Sequence, residues 1–240
     1  MKYLLLSTVL IASLFLTSCD TQQVIQAAND IISSNTQPND AEMKFGVKQA
    51  LEFGIKNAVN RTSTSGGFLN NNAIKILFPP EVKKVENTLR DLGAGSLVDN
   101  AISKLNAAAE DASQAAVPIF VDAIKQLTFS DIVSILKGDK NACTQYLQRT
   151  TRSQLYNMFK PSINNSINKV GLSNVWNQTI TKYNQIPLVQ KVNPDLNDYV
   201  TNKALDGLFY EVAKEELKIR ENPVARTTDI LKKVFGWASK

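Results

Sequence analysis

Apolar residues recur at three- and four-residue intervals through almost all of residues 40–235, and proline and glycine cut that pattern into pieces. The spacing gives each piece one apolar stripe, as a helix in a bundle needs. Asn39 or Asp40 is expected to cap a helix reaching about Asn60, with Met43, Val47, Ala50, Leu51, Ala58 and Val59 inward. Residues 63–72 read as a polar loop around Gly66-Gly67, and a short helix carrying Ile74 and Leu77 should end at Pro79-Pro80. Val82, Val85, Leu89 and Leu92 mark the next helix, stopped by Gly93. Residues 95–127 form an alanine-rich helix that Pro118 must kink or split.

Thr128 and Asp131 make an Asp variant of the capping box, opening a helix that Gly138 closes. Asp139 is expected to cap a helix ending before Pro161, with shorter ones over residues 162–170 and 174–183. A long helix covers residues 195–220, Pro223 breaks it, and Thr227 or Thr228 starts a last one with Ile230, Leu231, Val234 and Phe235. No strand alternation persists across neighbouring segments, and no repeat of fixed period occurs. The prediction is a single all-α domain over residues 40–240, an irregular orthogonal multi-helix bundle rather than a simple four-helix one.

Ahead of it stand Lys2, an apolar run from Leu4 to Leu16, and Leu16-Thr17-Ser18-Cys19. A core this short with that flank reads as a cleaved secretory signal over residues 1–18. The last four residues have the form of a bacterial lipobox, making Cys19 the expected site of lipid attachment; the alternative is an ordinary signal with an incidental cysteine. Residues 19–39 then form the lipidated cysteine and a short tether. The expected address is the cell envelope, lipid-anchored, at the outer membrane or periplasmic face more than the inner membrane. Several acyl chains make such an anchor effectively permanent.

Loss of Lys2 with the signal lowers the formal charge from +5 to +4, and the basic residues form no block. The pairs Lys83-Lys84 and Lys232-Lys233 read as solvated helix faces, so a nucleic-acid partner is not expected. With Cys19 lipidated, Cys143 has no disulfide partner and reads as a small buried hydrophobe. The chain has no histidine, which excludes Ser-His-Asp and Cys-His machinery and histidine-held zinc or haem. No glycine-rich phosphate loop occurs, and neither a metal site nor a cofactor is expected.

The remaining polar candidates each have a structural rival. Asn106 and Glu110, four apart, share a helix face; Glu110 could serve a pocket as a base or cation ligand, or cap a neighbouring helix. Asp206-Gly207 interrupts a good helix, at a cost of about 1 kcal/mol for glycine against alanine, which implies close packing or an approaching ligand. Glu215, Glu216, Arg220 and Arg226 form the densest charged set. A paired-carboxylate site is one reading; the other is structural ion pairing, Glu216 with Arg220 and Glu215 with Arg226. Asp139, Asp195 and Asp198 lack calcium-loop spacing, and three Asn-x-Ser/Thr triplets are read as chance.

The order Asn106 through Glu110, Ile135-Leu136-Lys137-Gly138-Asp139 and Ala142-Cys143-Thr144-Gln145-Tyr146 resembles one family of exported bacterial proteins. Tyr199-Val200-Thr201, Ala204 through Phe209, Glu215-Glu216, Ile219-Arg220, Asn222-Pro223 and Arg226, then Val234-Phe235-Gly236, continue the likeness. The chain is identified as resembling the domain of unknown function 4197 family over residues 43–236. Cys143 stands where the family pattern has alanine, which favours an inert core thiol. The resemblance implies an all-helical envelope domain and supplies no activity, cofactor or site. Three functions stay open: a non-enzymatic module that binds an envelope protein or an amphiphile, a carboxylate-dependent hydrolase of an envelope polymer, and a periplasmic lipid carrier with an apolar cavity.

Overall fold

The computed structural model describes residues 37–169, 171–188 and 191–239; the expected signal, Cys19 and all but the end of the tether lie outside the described residues. The fold is all-α, with no strand among the described residues. Helix α1 spans Asp40–Ser63 and opens on a full capping box, Asn39 with Glu42. A short 3-10 turn, Pro80–Val82, leads into α2, Lys83–Leu89, and a wider turn, Arg90–Ala94, bends the chain at Gly93 with φ +83° before α3, Gly95–Ser113. Helices α4, Ala116–Lys125, and α5, Phe129–Lys137, follow. Then come α6, Ala142–Asn168, α7, Leu172–Tyr183, α8, Leu196–Glu221, and α9, Asp229–Ala238.

Helices α1, α3, α6 and α8 carry the principal packing, with α9 laid on α1. Two glycines let α1 approach its neighbours. A methyl on Gly46 would sit 2.7 Å from Val234 of α9, and one on Gly54 would meet the Glu215 Cβ of α8 at 3.5 Å. The core is continuous and includes an edge-on Phe120–Phe209 pair, with Phe78 stacked on Trp176 at its margin.

The capping box at Thr128–Asp131 and the N-cap Thr228 form as read from sequence, and Asp195, where the long helix is expected to start, caps α8. Four boundaries differ. Residues 73–79 are a turn and an extended segment, not a helix, because Asn71 closes the turn and Asn106 engages the backbone of Ile76. The break in the long alanine-rich stretch falls at residues 114–115, which leaves Pro118 in the first turn of α4, where a missing N–H costs nothing. Helix α6 passes through Pro161 to Asn168, since Leu155, Phe159, Ile163 and Ile167 form one fully buried row whose packing outweighs the lost bond. The fourth is the start of α6, where Asp139 does not cap; the cap comes from another helix.

Candidate functional site

Five of the seven polar residues singled out in the sequence, Asn106, Glu110, Glu216, Arg220 and Arg226, act on backbone groups, and Asp206 and Glu215 bond side chains instead. Glu110, buried on α3, accepts from the amides of Gly66 at 3.1 Å, Phe68 at 3.0 Å and Leu69 at 3.3 Å. One carboxylate thereby organises the loop after α1, in which Gly66 has φ +80° and a methyl on Gly67 would lie 2.1 Å from the Arg61 carbonyl oxygen. One turn earlier on α3, Asn106 is fully buried and works as a substitute strand partner. Its Oδ1 accepts from the Ile76 amide and its Nδ2 donates to the Ile76 carbonyl, both at 2.8 Å. Irregular backbone running through the core is thus satisfied by two side chains of one helix face.

Asp206 is exposed and pairs with Arg152 of α6 at 2.8 Å. Gly207 is buried beneath the same loop: a methyl there would lie 2.6 Å from the Phe68 ring and 3.1 Å from Ile74 Cβ. Its absence of a side chain makes room for a phenylalanine rather than a ligand.

At the seam of α1 and α8, Arg61 bridges two buried carboxylates, with Nε 2.9 Å from Glu211 and Nη1 3.0 Å from Glu215. Asn57 donates to Glu215 at 2.8 Å, and Asn71 and Lys214 donate to Glu211 at 3.0 Å and 3.2 Å. Burial raises the Glu211 carboxyl, but the bonds from Arg61, Asn71 and Lys214 outweigh it and hold it below its ordinary value. The expected Glu215–Arg226 pair does not form, because Glu215 faces α1 while Arg226, past the end of α8, turns back onto the last carbonyls of that helix. Glu211, Arg61, Asn57 and Asn71 were absent from the sequence-derived set. Glu211 was findable: it lies within the inward row of Leu208, Val212, Glu215 and Ile219, where a carboxylate demands partners.

Glu216 and Arg220 do pair, at 2.9 Å, and each also caps a helix end. Glu216 accepts from the amides of Cys143 at 2.9 Å and Thr144 at 2.8 Å, and from the Thr144 hydroxyl, so it caps the N-terminus of α6. A carboxylate there also complements the helix dipole. Arg220 Nη2 donates to the Ile135 carbonyl in the last turn of α5 at 2.7 Å. The pair therefore bolts both sides of the α5–α6 corner onto α8. Arg226 closes α8 itself, donating to the carbonyls of Ile219 at 2.9 Å and Arg220 at 2.7 Å. Cys143 is buried beside this pair, and burial, followed by the Glu216 charge, pushes its thiol well above the ordinary range.

Glu110, Glu211 and Glu216 are closed inside the fold, and Glu215 reaches the edge of an open cleft while held by Arg61 and Asn57. No buried side-chain oxygen or nitrogen lacks a partner among the described residues, nor do His, Cys, Asp or Glu cluster there in a metal-holding group. The space within the core beside Cys143 and Phe235 measures about 10 Å³, room for one water at most. Larger space lies outside, in an open cleft of about 530 Å³ between α1 and α8 lined by Phe53, Lys56, Asn57, Lys218, Asn222 and Val224. No helix among the described residues is long and apolar enough to cross a membrane.

No curated protein and no solved structure matches this chain. A family model described as a protein of unknown function (DUF4197) matches residues 37–236, from just before the cap of α1 to the last turn of α9, and the chain belongs to that family.

Proposed function

We propose that this chain is a bacterial envelope lipoprotein, anchored through Cys19, whose helical domain acts as a binding or scaffold module at a membrane surface and not as an enzyme. The observation that carries the reading is the commitment of Glu110, Glu211, Glu215 and Glu216 to amide and guanidinium donors inside the fold. A glycosidase-type hydrolase needs two carboxyls flanking an accessible bond, and burial of these four weighs against it. The cavity beside Cys143 and Phe235 is too small to hold a lipid chain.

Two readouts test the proposal in cells making the full chain. Labelled palmitate should enter the wild-type protein and fail to enter Cys19→Ala; equal labelling of both removes the lipoprotein assignment. Glu110→Gln and Glu215→Gln should impair biological function only as far as they lower stability. A variant that stays as stable as wild type and loses function would make that carboxylate chemical.

A further inference from the structure

The outward arc of α1 is basic and apolar together. Lys44, Lys48 and Lys56 recur along it with Phe45 and Phe53; Glu52 lies among them, and Asp40 and Glu42 stand at the N-terminal end, Glu42 paired with Lys233. Across the cleft, α8 contributes Lys218, and the turn after it presents Val224. None of Lys44, Lys48, Lys56 and Lys218 has an ion-pair partner among the described residues. Glu215, the carboxylate that reaches the cleft, is already held by Arg61 and Asn57. Apolar groups that such a surface would ordinarily cover are open: Phe45 is 60%, Phe53 37% and Val224 86% exposed.

We propose that this face, the outer side of α1 with the α1–α8 cleft, seats on the anionic headgroups of a membrane. Lys56 and Lys218 line one cleft from two helices, so a headgroup phosphate entering it meets two ammonium groups. Phe53 and Val224 at the same cleft supply apolar contact toward the acyl boundary. The geometry of attachment agrees, a point that rests on the Cys19 anchor proposed above. Between Cys19 and Gln37 lie 17 residues, a reach of about 60 Å when extended. That stretch leads straight into α1, and the cleft begins about 20 Å further along it.

The test uses residues 20–240, which carry no lipid, so its outcome is independent of palmitate labelling at Cys19. Vesicles of phosphatidylcholine with one quarter phosphatidylglycerol should bind the protein, vesicles of phosphatidylcholine alone should not, and high salt should release it. Lys56→Gln and Lys218→Gln should each weaken partitioning about fivefold, and the pair about 25-fold. Lys84→Gln with Lys104→Gln, exposed lysines elsewhere, serves as the charge-matched control and should cost far less. Equal binding to neutral vesicles, no binding to anionic ones, or equal losses in the two double variants would overturn the proposal. So would release of the vesicle-bound protein by millimolar inorganic phosphate, which would indicate a soluble-anion site. A thermal melt of each variant separates lost binding from lost folding.

Discussion

Replacing Glu216 with alanine removes the N-terminal cap of α6 and leaves Arg220 without its carboxylate. Loss of an N-cap costs about 1 kcal/mol. Breaking a buried pair by deleting one partner costs about 3–5 kcal/mol, because the remaining charge stays desolvated. Arg220 is not wholly stranded, since it keeps the Ile135 carbonyl, so the lower end of that range applies. The sum is about 4 kcal/mol, and at 2–4 °C per kcal/mol for a domain of this size the melting temperature should fall by about 10 °C. Glu216→Gln keeps an oxygen for the two amides and loses the charge, so it should cost about half as much. Arg220→Ala should cost less than Glu216→Ala, because the carboxylate retains three donors on α6. Urea unfolding of the two single variants and the double gives the coupling, which should exceed about 1 kcal/mol. A cost for Glu216→Ala below about 1 kcal/mol, or additivity across the cycle, would refute the capping argument.

Two glycines in long helices should respond oppositely to alanine. Gly54→Ala, with its methyl in ordinary contact at 3.5 Å, should stabilise by up to about 1 kcal/mol through helix propensity. Gly207→Ala, driving a methyl to 2.6 Å from Phe68, should destabilise by about 1–3 kcal/mol, as thermal melts would show. The Cys143 thiol should react with a maleimide only as the protein unfolds, so labelling at the native-state rate of a free thiol would contradict its placement. Acid should act through the carboxyls held low in the folded state, Glu211 by Arg61, Asn71 and Lys214 against its burial and Asp131 by the Thr128 hydroxyl and amide. Their stabilisation is full above the unfolded carboxyl value of about 4 and is lost as pH falls through the lower folded values. Urea midpoints should therefore hold from pH 7 to about pH 5 and drop below about pH 4, and a midpoint that rises on acidification would reverse the sign.

Local chemistry was legible in the chain and tertiary repair was not. Caps made within four residues, at Asn39, Thr128 and Thr228, follow from neighbouring side chains and form as read, and Asp195 caps α8 where the long helix is expected to start. The start of α6 was misread because its cap, Glu216, lies 73 residues beyond Cys143, and nothing near Asp139 announces it. Residues 73–79 carry a helical apolar spacing, yet Ile74 is buried from a turn and Ile76 from irregular backbone, held by distant side chains, Asn106 at Ile76 and Tyr199 at Leu77. Pro161 predicts a helix end by its missing amide, while the buried row on either side of it keeps α6 continuous. The charged set at residues 215–226 was visible as a cluster, and the i,i+4 rule picked out Glu216 with Arg220. The partner of Glu215 was not visible, since Arg61 sits on a helix more than 150 residues earlier.

The claim at the centre of this account is that two of the buried carboxylates, Glu110 and Glu216, are locked onto backbone amides, while Glu211 and Glu215 are held by side-chain donors. Amide hydrogen exchange by NMR reads those bonds one at a time. The amides of Phe68 and Leu69, held by Glu110, and of Cys143 and Thr144, held by Glu216, should exchange in the wild-type protein only through large-scale unfolding. Glu110→Gln should weaken protection at Phe68 and Leu69, and Glu216→Gln at Cys143 and Thr144, each more than at the other pair. Exchange of these four amides in the wild-type protein as fast as in an open loop would mean the carboxylates are free, and would contradict the account.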